Sequence, residues 1–194
     1  MRRRRMVRAF DPTRPVPPGL VAELVDLASR APSAGKTQGW HLVVLEGTDA
    51  DQFWDATLPL DQRAGFAFPG LLDAPMIALP LADPGAYLAR YGEPDKATTG
   101  LGRTTAAWPV PYWTVDTAFS VMTLLLAAED QGVGALFFGV FHGEADLRAT
   151  LGIPGDLQLL GAIALGWPVG GQPPGRSAAR RRRSAQEIIH SGRW

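Results

Sequence analysis

Arginine crowds both ends of this chain. Arg2, Arg3, Arg4, Arg5 and Arg8 open it, and Arg180, Arg181, Arg182 and Arg183 stand near its close. These nine make up almost half of the 19 Lys and Arg residues, and 19 Asp and Glu residues bring the formal net charge to +0. Guanidinium forks match phosphate oxygens bidentately, so two such clusters brought together by the fold would suit one multiply charged anion. The alternative is two solvated basic tails, since blocks of like charge often stay in water. No side chain stands out for acid–base or nucleophilic work. Cysteine is absent, which excludes disulfides, thiolate metal sites and a Cys nucleophile. The three histidines, His41, His142 and His190, lack metal-ligand spacing. No Ser of the G-x-S-x-G type occurs. Neighbouring carboxylates such as Glu129-Asp130 read as a solvated helix end.

Two segments imitate phosphate loops and fail on context. Ser33-Ala34-Gly35-Lys36-Thr37 lacks the upstream glycine of a P-loop, because Arg30 stands there, and it follows a helix and precedes a strand. Gly132-Val133-Gly134 also follows a helix and precedes a strand, the reverse of a dinucleotide fingerprint, and reads as a helix stop. Capacity for an anion without an evident acid, base or nucleophile points to a cofactor that carries the chemistry. Flavin mononucleotide (FMN) fits that description. Its phosphate calls for arginines, its ring for a flat apolar slot, and hydride transfer at N5 for no side-chain catalyst.

The elements that must position these residues follow from the apolar pattern. Leu20, Leu24, Val25 and Leu27 recur at helical spacing within Gly19–Ser29, and Ala31-Pro32 closes that helix. His41–Leu45 and Pro75–Leu81 read as buried strands, and Asp49–Ala56 as a short helix. Residues 82–111, rich in Pro, Gly and Thr, read as a variable surface loop with one or two helical turns, a place for specificity. Trp113–Gln131 is the longest helix. It is apolar nearly all round, so burial on most sides is expected. Ala135–Phe141 reads as a strand, Glu144–Leu151 as a helix and Leu157–Leu165 as a strand carrying Gly161. The Gly/Pro/Arg-rich stretch 170–194 forms a C-terminal arm with a short element at Ile188-Ile189. The alternation predicts a layered α/β or α+β fold in one domain over 1–194.

Several motifs in order resemble the nitroreductase family of FMN enzymes. Arg4-Arg5-Met6-Val7-Arg8-Ala9-Phe10 is similar to that family's opening R-R-S-V-R-x-F. Ala31-Pro32-Ser33-Ala34-Gly35-Lys36-Thr37-Gln38-Gly39-Trp40 resembles its A-P-S-A-x-N-x-Q-P-W, and the Gly132-Val133-Gly134 unit and Leu165-Gly166-Trp167-Pro168 followed by arginines also match. The resemblance implies an α+β fold of three α-β-α layers with a mixed central sheet, in an intertwined homodimer. It implies that Arg4 and Arg5 grip the phosphate and ribityl chain, with Met6 beside them, and that Arg8 faces the N1/C2 edge. A cation there favours the negative charge that develops on reduction. Pro32, Ser33, Ala34 and Lys36 would meet the flavin from the partner subunit. Gly139 would offer its N–H toward N5, flanked by Phe138 and Val140, and Arg181, Arg182 and Arg183 would complete the phosphate clamp. The long helix would pack the dimer.

The chain departs from the family pattern at particular residues. Met6 stands where Ser is frequent, Lys36 replaces Asn, and Gly39 replaces Pro. The Asn and Lys that some members place before the second strand are missing near Ala67–Gly70. The reading that results is an oxidoreductase that passes hydride from NAD(P)H through FMN to a small planar aromatic acceptor, a nitroaromatic or a quinone, in ping-pong turnover. Trp108, Tyr112 and Trp113 are candidate pocket walls or, alternatively, packing. A non-redox flavin or deazaflavin binder and a relative that cleaves or dehalogenates its substrate are the rival readings. A pI near 6.8 argues against a nucleic-acid partner. With no apolar run behind the first arginines and none near the ~20 residues of a membrane span, a cytoplasmic protein is expected.

Overall fold

The computed structural model describes residues 1, 4–172 and 175–194; Arg2 and Arg3 of the first arginine cluster lie outside it. Five strands, β1 (Trp40–Glu46), β2 (Met76–Ala82), β3 (Gly134–Phe138), β4 (Gln158–Leu159) and β5 (Ala162–Gly166), form one sheet in the order β1-β2-β5-β3, with β4 also on β2. Helices α1 (Leu20–Ala28) and α5 (Tyr112–Asp130) cover one face. Helices α2 (Ala50–Thr57) and α6 (Glu144–Leu151) cover the other. Two shorter helices, α3 (Leu60–Arg63) and α4 (Pro84–Gly92), lie in the connections.

Strand periodicity accounts for the three layers. In β2, Ile77, Leu79 and Leu81 point to the α2/α6 side, and Met76 and Ala78 to the α1/α5 side. In β5, Ala162 and Ala164 face the first layer, and Ile163 and Leu165 the second. A strand apolar on both faces is the signature of a central position, and every residue of β2 and β5 is buried.

Each described strand pair is antiparallel, where a mixed sheet was expected. The reason lies in β5. Strands β2 and β3 run in the same direction, as a β-α-β crossover would leave them, but β5 inserts between them and pairs antiparallel with both. The segment expected to be one strand over Leu157–Leu165 is broken at Gly161, whose φ is +144° and where a Cβ would stand 2.5 Å from the Phe138 carbonyl oxygen. Residues 82–111 also hold more order than expected. Asp83 accepts the Ala86 N–H at 3.0 Å and Pro84 occupies the first turn, which starts α4 as a nine-residue helix.

Helix α5 differs from the expected all-round burial. Asp116, Thr117 and Ser120 are buried in the chain, while Phe119 is 46% exposed and Met122 39% exposed. These polar residues are buried beside Val121, Leu124, Leu125 and Ala128, and part of the helix's apolar surface faces out. Among the described residues no helix is long and apolar enough to cross a membrane.

Candidate functional site

The N-terminal segment lies along the end of β3 and β5. Val7 N–H donates to Ala135 O at 3.1 Å, Asp11 N–H to Trp167 O at 2.9 Å, and Phe10, almost wholly buried, bridges to Pro168. Trp167 fixes the same segment from the side. Its Nε1 donates to Pro15 O at 3.0 Å, and the Arg14 guanidinium lies 3.5 Å over its ring. The Gly-Trp-Pro motif thus holds the arginine-bearing segment in place. Gln172 completes the clamp: its Oε1 accepts Arg8 N–H at 2.9 Å and Ala9 N–H at 3.1 Å, and its Nε2 donates to Ala9 O at 2.7 Å. A lone glutamine in a Gly/Pro-rich tail gives no signal of this role in the sequence.

This anchoring delivers Arg8 to the edge of a cavity of about 390 Å³, within the usual size of small-molecule sites. Phe138, Gly139 and Val140 line it, as expected for the strand end, although β3 stops at Phe138 and Phe141 is 85% exposed. The remaining walls were not read from the sequence: Phe53, Trp54, Thr57 and Leu58 from α2 and its end, and Phe66, Phe68 and Leu71 from the connection before β2. Trp54 stacks on Phe138 at 6.1 Å with 7° between the planes, and Phe53 meets both edge-on. The Trp54 indole N–H is buried without a hydrogen-bond partner among the described residues. Arg8 and His142 are the titratable residues of the lining, and no carboxylate belongs to it. The Arg8 guanidinium lies 5.4 Å from the centre of the Phe68 ring and donates to Met6 O at 3.5 Å. The site is therefore an aromatic cavity with a cation at one edge. It can hold a planar ring that gains negative charge, and it offers no acid or base from Asp or Glu.

Gly70 packs tightly against the N-terminal segment: a Cβ there would stand 2.6 Å from Ala9 Cβ. Gly39 is equally constrained, since its Cβ would lie 2.8 Å from the Tyr87 ring and 2.9 Å from Ala86 Cβ.

The other expected site residues are placed elsewhere in the single chain. Arg4 donates to Met6 Sδ at 3.4 Å, and Arg5 is exposed. The two arginine clusters share no hydrogen bond among the described residues. Arg181 is instead paired with Glu187 inside the C-terminal arm, at 2.5 and 2.7 Å, Arg183 donates to the Glu187 carbonyl oxygen, and Arg182 is exposed. Glu187 is held down to about 2, first by the Arg181 guanidinium and then by the Ser184 N–H. The local cause of this arrangement is a capping box from Ser184 to Glu187, which draws the arginines onto their own arm. Pro32, Ser33, Ala34 and Lys36 form a separate loop after α1 and do not line the cavity. Trp108, Tyr112 and Trp113 do not line it either. Trp108 is 8% exposed, donates to Leu101 O at 2.9 Å and packs edge-on with Tyr87, Tyr91 and Trp113. In the single chain these rings pack with Tyr87 and Tyr91 between α4 and α5. Among the described residues no cluster of metal-ligating side chains occurs.

Comparison with known proteins gives one consistent family. The family model described as "Nitroreductase family" matches residues 1–167. An NADH dehydrogenase of Thermus thermophilus is 28% identical over 180 residues, 86% of this chain and 83% of that protein. The 5,6-dimethylbenzimidazole synthase of Rhodospirillum rubrum is 27% identical over 179 residues, 85% of this chain and 78% of the other. The crystal structure of a nitroreductase-like protein from Streptococcus mutans superposes with a TM-score of 0.76 at 18% identity, covering 96% of this chain and 93% of that one. The match spans the N-terminal segment, the cavity walls and the sheet that carries both, and on it this chain belongs to the nitroreductase family.

Proposed function

We propose that this protein is an FMN-dependent oxidoreductase, active as a homodimer, that moves hydride from NAD(P)H to a small planar acceptor such as a nitroaromatic or a quinone. The observation that carries the proposal is the cavity: aromatic on its faces, with Arg8 fixed at its edge and no carboxylate in its lining. A flavin ring fits that donor set. When bound, FMN supplies an N5 position that accepts hydride from one substrate and gives it to the next, in ping-pong order. Arg8 stabilises negative charge at the ring edge. Phe53, Trp54, Phe66 and Phe138 exclude water and hold planar groups by stacking. Arg4 and Arg5 would be the cations for the phosphate, and Gly139, which lines the cavity, would offer its N–H to N5. The Ser33–Lys36 loop and the cavity are separate within one chain, so both reach one flavin only across a two-fold interface. The outward Phe119 and Met122 of α5 supply an apolar seam for it.

The test is anaerobic. Purified protein should be yellow, bleach on addition of NADPH or NADH, and recover colour with menadione or a nitroaromatic; light scattering should report a dimer. Bound flavin that does not bleach with either nucleotide would sink the reductase reading and leave a flavin binder. The rival reading is a relative that cleaves its substrate. Mass spectra of the acceptor after turnover separate the two: hydrogens gained on an intact skeleton support the reductase, and fragments support cleavage.

A further inference from the structure

The loop between α1 and β1 is held from beneath by a buried carboxylate. Asp116, on the inward side of α5, is 6% exposed. Its Oδ2 accepts the Ala34 N–H at 2.7 Å and the Tyr87 O–H at 2.8 Å. Ser33 Oγ stands 3.4 Å from Tyr87 Oη and accepts the Gln38 N–H at 2.9 Å. From the other side, Arg90 Nε donates to Gly35 O at 2.9 Å while its terminal nitrogens pair with Asp95 at 2.7 and 2.8 Å. Helix α4, which carries Tyr87 and Arg90, is packed onto the same loop at Gly39.

Between these anchors the backbone is strained. Gly35, Lys36 and Gln38 have φ of 63°, 54° and 53°, and two of the three carry a Cβ. Such conformations persist only where surroundings over-determine them, and they gather at sites that meet ligands. A buried carboxylate served by neutral donors alone carries a desolvation cost that an apolar side chain would avoid. The crest of the loop, by contrast, is open: Pro32, Lys36 and Gln38 are exposed, and Lys36 takes part in no ion pair among the described residues. A strained, exposed crest fixed by a buried polar network is a surface whose shape is set before its ligand arrives.

We infer that Asp116 is a positioning residue for the cofactor: through Ala34 and Tyr87 it fixes the Ser33–Gln38 loop in the shape that the flavin of the other subunit meets. The inference rests on the flavin reading above and adds a residue outside the motifs quoted for the resemblance. Asp116 would act through the loop. It removes the ordering that the loop would otherwise undergo on binding, the general route by which preorganisation raises affinity.

The experiment uses the full-length protein stripped of flavin, with Asp116→Ala, which removes the oxygen that accepts both bonds, and Tyr87→Phe as variants. Hydrogen exchange over residues 33–39 reads the loop in the apoprotein, and quenching of FMN fluorescence reads affinity. Asp116→Ala should speed exchange in this segment at least ten-fold and raise the FMN Kd about ten-fold. Tyr87→Phe, which leaves the Ala34 bond in place, should speed exchange and raise Kd about three-fold each. A loosened loop with unchanged Kd overturns the inference, because the loop would then not meet the cofactor. Unchanged exchange overturns it too, because Asp116 would then not hold the loop. If Asp116→Ala fails to fold, Tyr87→Phe decides by the same two readings. A wild-type protein that binds no FMN fails differently, and sinks the flavin reading itself.

Discussion

Gly70→Ala isolates how the N-terminal segment is seated. The added Cβ would stand 2.6 Å from Ala9 Cβ, 3.0 Å from Ala9 Cα and 3.4 Å from Arg8 O. Carbon atoms settle at about 3.5–4.0 Å, so the segment must retreat by about 1 Å. It is not free to do so. Ala9 is bonded on both its N–H and its carbonyl by Gln172, its carbonyl also accepts the Val169 N–H at 3.1 Å, and Phe10 donates to Gly70 O at 3.1 Å from inside the core. Overpacking against fixed neighbours costs roughly 1–3 kcal/mol. Gly→Ala at an unstrained, open position acts the other way, by about 0.4–1 kcal/mol through the unfolded chain, so the sign alone tells whether the contact is real. A chain of this length loses about 2–4 °C of Tm per kcal/mol, which puts the expected fall between about 2 and 12 °C. Arg8 moves with the segment, so FMN affinity should fall as well. Adding Ala9→Gly removes the shorter contact and should recover most of the Tm. Differential scanning fluorimetry of the three apoproteins measures this. An unchanged Tm in Gly70→Ala, or a double variant no better than the single one, would refute the packing argument.

Two other outcomes are expected. Arg8→Gln keeps a donor at the slot edge and removes the charge; two unit charges ~4 Å apart interact by about 4 kcal/mol at an effective dielectric of 20. With solvation discounting this to ~1–2 kcal/mol, the flavin midpoint should fall by roughly 20–45 mV in a dye-coupled titration, and a constant midpoint would place Arg8 away from the ring edge. Glu187 is lowered to about 2 from an ordinary 4.5 by Arg181 and the Ser184 N–H, so its contribution to the arm is fully present above 4.5 and is lost as pH falls through about 2. Carboxyl NMR should show that low midpoint in the wild type and a clearly higher one in Arg181→Ala, still below the ordinary value because the Ser184 N–H remains; a wild-type midpoint near 4.5 would dissolve the pairing.

Much of the scaffold was legible because its elements carry a clean period. Helices α1, α2, α5 and α6 and strands β1 and β2 fall within a residue or so of the spans read from apolar spacing. What escaped was set by contacts distant in sequence. Helix α4 hides in a polar, Pro-rich segment whose one helical signal is Asp83-Pro84, a cap and a first-turn proline. The break at Gly161 depends on the Phe138 carbonyl oxygen of a neighbouring strand, which no local pattern reveals. For the site, Arg8 and Phe138–Val140 were reached through the family motifs. The aromatic walls were not, because which face of α2 meets Phe138 is decided by the packing of the layer and not by α2's own sequence. Nor does the arginine run at 180–183 show its local partner, since Glu187 reads as an ordinary surface acid until the turn at 185–187 folds it back.

Helix α5 ties these observations together through what it buries and what it exposes. A helix on a sheet normally buries its apolar stripe and shows its polar residues to water. Here Val121, Leu124, Leu125 and Ala128 form the buried stripe, Asp116, Thr117 and Ser120 are buried with them, and Phe119 and Met122 face outward. Two of the three polar residues have work within the chain: Asp116 holds Ala34 and Tyr87, and Thr117 Oγ1 donates to Trp113 O at 2.7 Å. The outer residues have no such role in the single chain, and exposing large apolar side chains side by side costs stability unless another surface covers them. In the proposed dimer both features have one explanation. The outer side of α5 is the seam, and the inner side anchors the loop that must reach across it. The helix that draws two copies together would then also set the shape of what each copy presents to the other's flavin, so loss of the seam and loss of the Asp116 anchor should weaken FMN binding by different routes, the first dependent on protein concentration and the second not.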